Sequence, residues 1–306
     1  MPVFLAGDWG TTKLRLFVCD AQDSGIRIVD TCESLGVAKV TCGDFESVLL
    51  EAISDWRTAY DFDVVLLSGM IGSDIGWRKV GYLPCPARPD AIGSNTEVFD
   101  VDSLRIGIVP GLVCENPLGQ PDVMRGEETQ LLNWSARTDD HASGLVACPG
   151  THNKWVQIRQ GNIDHFMTTM TGELYACLRE HSVLIHNADD TFDESAFVEG
   201  VNAVKAHPGH FNSLLFSTRS RQVLNQLADS SASAYLSGLL VAADCLGALD
   251  VFDRADEAVT LLGEPQLNLR YATALDALAI DSVSVDVSTL GAEGFLQLLT
   301  HSGLQL

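Results

Sequence analysis

Apolar residues near the start of the chain come in short runs that predict three β-strands. The runs occupy residues 3–8, 14–19 and 26–32. Gly10-Thr11-Thr12 separates the first run from the second, and Asp23-Ser24-Gly25 separates the second from the third. These residue types are typical of tight turns. The pattern therefore predicts two consecutive hairpins.

A helical period follows, and then the pattern returns to strands. Apolar side chains at positions 45, 48, 49, 52, 53 and 56 recur at the spacing of one helix face. Residues 64–67 are fully apolar and predict a buried strand, and residues 106–109 predict another. Residues 124–134 predict a helix.

The second half of the chain repeats this order. Strands are predicted at 145–148, 155–158 and 163–168, with a Pro149-Gly150-Thr151 turn after the first. Helices predicted at 172–179, 235–249, 269–279 and 291–299 alternate with strands at 259–262 and 283–287. Gly10-Thr11-Thr12-Lys13 and Gly150-Thr151-His152-Asn153-Lys154 close the first hairpin of each half. We interpret the repeat as a duplication; the alternative is two unrelated Gly-Thr hairpins.

The repeat predicts an α/β fold of two domains, 1–140 and 141–306, divided in the polar stretch 138–143. Each domain is expected to hold a mixed five-stranded sheet flanked by helices, with the ligand cleft between the domains. The first domain would form the substrate and phosphate side, and the second the nucleotide side. The last helix is a candidate to pack back on the first domain.

Charge and hydropathy exclude several classes of partner. The 306 residues carry a formal net charge of −22 at pH 7, whereas nucleic acids and anionic membranes bind basic surfaces. No uninterrupted apolar run approaches the roughly 20 residues of a membrane span, and residues 1–8 lack the basic start of a signal peptide. We expect a cytoplasmic protein with no nucleic-acid or membrane partner. A homo-oligomer is compatible with the sequence.

The first hairpin has the composition of a polyphosphate site. Backbone N–H groups in a tight turn, hydroxyl donors and a cation bind phosphate, and Gly10, Thr11, Thr12 and Lys13 supply all three. Asp8, at the end of the preceding strand, is a candidate Mg²⁺ ligand. The alternative is that Asp8 only caps a turn. The residues thus predict a polyphosphate ligand bound together with Mg²⁺.

Several longer motifs resemble one family of kinases. They are Gly7-Asp8-Trp9-Gly10-Thr11-Thr12, Leu67-Ser68-Gly69-Met70-Ile71-Gly72-Ser73, Gly76-Trp77-Arg78, Tyr82-Leu83-Pro84-Cys85-Pro86-Ala87, Val109-Pro110-Gly111, Pro121-Asp122-Val123-Met124-Arg125-Gly126-Glu127-Glu128-Thr129-Gln130, Pro149-Gly150-Thr151-His152-Asn153-Lys154-Trp155, Met170-Thr171-Gly172-Glu173-Leu174 and Tyr235-Leu236-Ser237-Gly238-Leu239-Leu240. The set resembles the 2-dehydro-3-deoxygalactonokinase family, within the actin, hexokinase and Hsp70 ATPase superfamily, and the resemblance spans residues 3 to about 275.

The resemblance implies two actin-like (ribonuclease H-like) domains and ATP-dependent phosphorylation of 2-dehydro-3-deoxy-D-galactonate to its 6-phosphate in galactonate catabolism. It also implies that Ser68 and Met70 lie at the sugar-acid site. A substrate carboxylate calls for a guanidinium, and Arg78 and Arg125 are the candidates. Either arginine could instead be a surface residue that pairs with a nearby glutamate.

The resemblance further implies a carboxylate that accepts the hydroxyl proton, after the last strand of the first domain and near the start of the next helix. Asp122 occupies that place, with Glu127 and Glu128 behind it. The alternative role for Asp122 is an N-cap of a helix that begins at residue 123 or 124; the two roles are compatible.

For the nucleotide, the resemblance implies phosphate contacts from Gly150, Thr151, His152 and Lys154, and an adenosine contact at Gly263. The chain departs from the family pattern at Lys13, Asp74, Asp244 and Glu264. Two alternative functions stay open. One is a kinase of another sugar or sugar acid with the same fold, and the other is a regulator that hydrolyses ATP.

Overall fold

The computed structural model describes residues 3–22, 25–137, 143–185, 192–254, 257–290 and 292–304. The predicted domain boundary near residue 140 lies outside these residues.

In the described residues, the first half of the chain contains nine β-strands and four α-helices. They are β1 (Val3–Trp9), β2 (Lys13–Gln22), β3 (Gly25–Leu35), α1 (Phe45–Ala52), α2 (Trp56–Ala59), β4 (Val64–Ser68), β5 (Tyr82–Pro84), α3 (Pro89–Ser94), β6 (Glu97–Val101), β7 (Leu104–Ile108), β8 (Gly111–Glu115), β9 (Pro121–Met124) and α4 (Glu127–Ser135).

The second half follows with strands and longer helices. They are β10 (Gly144–Cys148), β11 (Asn153–Arg159), β12 (Asn162–Thr169), α5 (Thr171–His181), α6 (Glu194–Ala206), α7 (Phe211–Val223), α8 (Ala232–Val251), β13 (Val259–Gly263), α9 (Pro265–Ala277), β14 (Ser282–Asp286) and α10 (Glu293–His301).

Two sheets share the same strand order, as the repeat predicts. The first runs β3-β2-β1-β4-β7-β6 and the second β12-β11-β10-β13-β14. In each sheet the first three strands form antiparallel hairpins, and the first strand of the half then pairs in parallel with the fourth, β1 with β4 and β10 with β13. The mixed α/β class and the ribonuclease H-like strand order are confirmed.

The first sheet has six strands where five are expected. The extra strand, β6, pairs antiparallel with β7 at the edge of the sheet. A tight turn with Asp102 at φ 53° connects the two strands, and aspartate tolerates this left-handed conformation. A further small sheet, β5-β8-β9, lies beside the first.

The helix predicted at residues 124–134 begins too early. Residues 121–124 form β9, which pairs antiparallel with β8, and α4 starts only at Glu127. Gly126 lies between them with φ 109°, a backbone conformation that residues other than glycine rarely adopt. The helix predicted at 45–56 is likewise divided into α1 and α2.

Buried side chains form three clusters among the described residues. One lies beneath the second sheet around Trp155 and Leu236, and one covers a face of the first sheet around Trp9 and Leu67. The third contains residues of both halves, including Phe166 of β12. The two sheets therefore share part of one core.

The last helix, α10, follows β14 of the second sheet yet packs on α3 and α4 of the first half. Gly294 N donates to Asn133 Oδ1 at 2.7 Å. A Cβ at Gly294 would lie 2.6 Å from Asn133 N, so only glycine permits this approach.

Among the described residues, one helical segment is long and apolar enough, by length and composition, to cross a membrane. It is Asp229–Val251, which contains α8 and an 18-residue window with a mean hydropathy of 1.5. In the structure 78% of this window is buried, so the segment is the core helix of the second half. The prediction from uninterrupted apolar runs did not consider a longer stretch in which small residues separate those runs.

Asp244, a departure from the family pattern, is a buried acceptor on α8. Its carboxylate accepts hydrogen bonds from Asn153 and Trp155 of β11, from Thr171 at the start of α5 and from Tyr271 of α9, at 2.5–2.8 Å. Burial and this carboxylate raise the pKa of Tyr271 well above its usual value. Asp244 thus fixes the second hairpin to three helices.

Replacing Asp244 with alanine should lower the free energy of unfolding by about 3–5 kcal/mol, because the donors around it lose their shared acceptor. Urea titration measures the loss. Asp250→Ala, at an exposed position of the same helix, is the matched control and should change stability by less than about 0.5 kcal/mol. Equal effects in the two variants would contradict this role for Asp244.

Candidate active site

Both halves line one cavity of about 570 Å³. The first half contributes Asp8, Gly10, Thr11, Arg15, Met70, Tyr82, residues 123–127 and Gln130. The second half contributes residues 148–152, Lys154, residues 262–264 and Val287. The ends of β1, β10 and β13 meet here, where ligands bind in sheets of this kind. We call this cavity the cleft.

In the first hairpin, two of the four predicted turn residues line the cleft. They are Gly10 and Thr11. Thr12 is exposed, and Lys13 Nζ lies 2.8 Å from Glu33 Oε2 at the protein surface. Neither residue lines the cleft, so the predicted phosphate contacts of the Thr12 and Lys13 side chains are not supported by their placement.

Asp8 lies at the end of β1 with its carboxylate facing the cleft. The guanidinium of Arg15, on β2, donates to Asp8 Oδ2 at 2.7 Å. Arg15 also lines the cleft and was not among the predicted site residues. Its signal in the sequence was weak, because only the β1–β2 register, Asp8 opposite Arg15, brings the two together.

Gly36 packs against the first turn, and it was also not among the predicted site residues. A Cβ there would lie 2.2 Å from Lys13 N and 2.6 Å from Thr11 O. The loop after Gly36 then closes on the turn, since Val37 N donates to Gly10 O at 3.0 Å and Ala38 N donates to Thr11 O. Nothing local in the sequence shows this long-range approach.

The second hairpin is supported in the same way. Gly150, Thr151 and His152 line the cleft. A Cβ at Gly172 would lie 2.4 Å from Gly150 O, and the imidazole of His152 lies 2.5 Å from a carboxylate oxygen of Glu173. In each half, then, a glycine from another segment packs against the Gly-Thr turn.

Glu127 and Lys154 meet across the cleft. Glu127 is the first residue of α4, and Lys154, on β11, is buried with its side chain 7% exposed. Lys154 Nζ lies 3.2 Å from Glu127 Oε1 and donates to His152 O at 3.1 Å. Glu127 Oε2 has no hydrogen-bond partner among the described residues. This oxygen is buried, and its capacity to accept a hydrogen bond is unused by the described residues.

Asp122 does not lie at the start of a helix, where the catalytic base is expected. It lies within β9, so the N-cap interpretation is wrong, and it is absent from the residues that line the cleft. Thr168 N and Oγ1 donate to its two oxygens at 2.7 and 2.6 Å, and Asn116 donates at 3.3 Å. The carboxylate therefore ties β9 to β12.

The two candidate arginines differ in position. Arg125 lines the cleft and stacks over Tyr82 at 4.5 Å, and its Nη2 donates to Val80 O at 2.7 Å. Its Nε and Nη1 have no partner among the described residues. Arg78 is exposed and stacks over Phe99 at 4.0 Å, on the edge strand β6. The structure thus brings Arg125, and not Arg78, to the cleft.

The predicted substrate residues Ser68 and Met70 also separate. Met70 lines the cleft and an adjoining cavity of about 320 Å³ that shares Tyr82 and Arg125. Ser68 is fully buried and hydrogen-bonds to Glu128 Oε1 at 3.0 Å. A direct contact of Ser68 with a ligand is therefore not supported.

Gly263 and Glu264 form the cleft wall between β13 and α9. Asn268 Nδ2 donates to Gly263 O at 3.1 Å and to Leu261 O at 3.2 Å. A Cβ at Gly263 would lie 2.9 Å from Asn268 Oδ1. The side chain of Asn268 thus fixes the turn, and glycine is required for its close approach.

Comparisons with known proteins match nearly the whole chain. The family model for 2-keto-3-deoxy-galactonokinase matches residues 8–298. The 2-dehydro-3-deoxygalactonokinase of Escherichia coli (strain K12) is 34% identical over 307 residues, 98% of each chain. A protein of Rhizobium meliloti (strain 1021) named "Probable 2-dehydro-3-deoxygalactonokinase" is 35% identical over 291 residues, 92% of each chain.

A solved structure agrees with these matches. It is the crystal structure of a candidate 2-dehydro-3-deoxygalactonokinase from Sinorhizobium meliloti, with a TM-score of 0.84 and 31% identity, covering 98% of this chain and 97% of that one. The fold, the strand order and the family model all agree, and the chain belongs to the 2-keto-3-deoxy-galactonokinase family of carbohydrate kinases.

Proposed function

We propose that the protein is a cytoplasmic kinase that transfers the γ-phosphoryl of ATP to 2-dehydro-3-deoxy-D-galactonate, giving the 6-phosphate in galactonate catabolism. One observation carries the proposal. Two Gly-Thr turns, one from each half, open into the same cleft as the carboxylates of Asp8 and Glu127. The proposal divides the chain into domains 1–140 and 141–306, with the cleft between them.

In this proposal, ATP binds at the two turns. The backbone N–H groups around Gly10 and Thr11 and around Gly150 and Thr151 would hold the phosphates. Lys154 is the cation beside the second turn, already held by His152 O. The adenosine would extend toward Gly263 at the other wall of the cleft.

Asp8 is the proposed Mg²⁺ ligand. Mg²⁺ binds proteins through one or two carboxylates together with substrate phosphates and water, and Asp8 offers a hard oxygen beside the first phosphate turn. The described residues contain no group of three or more His, Cys, Asp or Glu that could hold a metal. A single carboxylate that completes its site with nucleotide fits this donor set. The ion would neutralise charge on the phosphates.

Glu127 is the proposed base, in place of Asp122. The hydroxyl oxygen at C6 of the acid attacks the γ-phosphorus, the bond to the bridging oxygen of ADP breaks, and the hydroxyl proton passes to Glu127. Glu127 lines the cleft and its buried Oε2 has no hydrogen-bond partner among the described residues, whereas both oxygens of Asp122 accept hydrogen bonds from β12. Lys154 orients the other oxygen of Glu127.

In this proposal, the carboxylate of the acid binds Arg125 in the adjoining cavity, which Met70 and Tyr82 also line. Two of its guanidinium nitrogens have unused donor capacity, and a charge-assisted hydrogen bond contributes about 1.5–3 kcal/mol.

Arg125→Gln should therefore raise KM for the acid by about tenfold or more, with KM for ATP little changed. Arg78→Gln is the matched control and should leave both constants near the wild-type values. Initial rates measured at varied concentrations of the acid and of ATP give the two KM values for each variant. An unchanged KM for the acid in Arg125→Gln would make an uncharged sugar the better substrate.

Release of ADP tests the proposed function directly. The acceptors are 2-dehydro-3-deoxy-D-galactonate, its gluconate epimer and simple aldoses. Release that depends on the galactonate derivative supports the proposal. Faster release with an aldose would support a kinase of another sugar, and equal release without any acceptor would support a regulator that hydrolyses ATP.

A further inference from the structure

Glu128 is fully buried, although its neighbour Glu127 lines the cleft. The partners of its carboxyl are neutral. Oε2 accepts from Gly126 N at 2.6 Å, and Oε1 lies 3.0 Å from Ser68 Oγ. The hydroxyl of Thr129 completes the network, 2.8 Å from Gly126 O and 3.3 Å from Ser68 Oγ. The network joins the end of β4 to the first turn of α4.

Both ends of this network lie beside Asp8. Ser68 is opposite Asp8 in the parallel β1–β4 register. Ideal Cβ atoms at Gly69 and Gly126 would lie 3.0 and 3.9 Å from Asp8 Oδ1. The same backbone that carries Glu127 is thus held next to the carboxylate of Asp8 through Glu128.

We infer that Glu128 is a positioning residue: its carboxyl fixes Glu127 relative to Asp8 by linking Ser68 to the N–H of Gly126. The inference rests on the proposed function, because Glu127 is the proposed base. A misplacement of about 1 Å in a reacting group can lower a rate by about a hundredfold.

A neutral carboxyl suits this role. Burial, with the charge of Glu127 adding to it, raises the pKa of Glu128 to about 8, so at neutral pH the group can donate to the serine hydroxyl as well as accept from the backbone. The other charged groups around the network are Asp8 and Arg15 on β1 and β2, and Lys154 on β11. Ionisation of Glu128 would place a third negative charge beside those of Glu127 and Asp8.

The test compares Glu128→Gln, Glu128→Ala and the wild type as intact proteins. Glutamine retains one acceptor and one donor and cannot ionise. Glu128→Ala should lower kcat about tenfold or more with little change in either KM, and Glu128→Gln should regain most of that loss. As pH rises from about 7 to about 9, kcat of the wild type should fall by about threefold or more relative to Glu128→Gln.

Gln222→Ala, which removes a buried polar side chain on α7, controls for general loss of stability and should lower Tm without lowering kcat. Three results would overturn the inference: wild-type kcat in Glu128→Ala, no recovery in Glu128→Gln, or parallel pH profiles in Glu128→Gln and the wild type. A wild type that phosphorylates no acid at any pH would contradict the proposed function itself, and the inference with it. An active wild type with unaffected variants contradicts the inference alone.

Discussion

Asp8→Asn should lower kcat by about a thousandfold, or about 4 kcal/mol in the barrier. The amide keeps the shape of the side chain but removes the charge that Arg15 holds beside the phosphate turn. Since the side chain lies at the cleft and not in the core, the fold should change little. Steady-state kinetics, with circular dichroism to check folding, measures both effects.

The chain offers a close control for this substitution. Asp20, on β2, is also an acid paired with an arginine on the neighbouring strand, and its side chain is 19% exposed against 21% for Asp8. It does not line the cleft. Asp20→Asn should retain wild-type kcat. If Asp8→Asn kept more than about a tenth of wild-type kcat, Asp8 would have no part in the mechanism.

Glu127→Gln should lower kcat by a factor of about 100 or more and leave KM for the acid nearly unchanged. The reason is that the proton moves only as the transition state forms, so the lost interaction is absent from the ground state. The pair with Lys154 becomes a hydrogen bond to a neutral amide. Single-turnover measurements would show whether the chemical step is the one that slows.

Asp122→Asn distinguishes the two candidate bases. Its oxygens accept hydrogen bonds from Thr168 and Asn116, so the substitution should lower stability more than it lowers kcat. A folded Asp122→Asn variant with a larger loss of kcat than Glu127→Gln would return the role of base to Asp122.

The sequence predicted the strands of both sheets well, because their signal is local. The fully apolar run of β4 is buried at every position, as a central parallel strand requires. It did not predict β6, nor any strand of the small sheet β5-β8-β9. The start of α4 depends on Gly126 at φ 109°, and an apolar pattern does not show where such a break falls.

The site was predicted in part, for a similar reason. A Gly-Thr turn is visible in a sequence, and Gly10, Thr11, Gly150 and Thr151 all line the cleft. Side-chain direction is not visible, so Lys13 was assigned to the site although it pairs with Glu33. Contacts between distant segments are equally hidden, which is why Gly36 and the role of Glu128 were missed. Arg15 was missed because its pairing with Asp8 depends on the register of β1 and β2.

Phosphoryl transfer to the acid is tested most directly by the ³¹P NMR spectrum of the product formed from ATP and 2-dehydro-3-deoxy-D-galactonate. We expect a phosphate monoester signal that is split by the two protons at C6 and grows as ATP is consumed. Inorganic phosphate alone, or an ester at another hydroxyl, would contradict transfer to the terminal hydroxyl of the acid in this cleft.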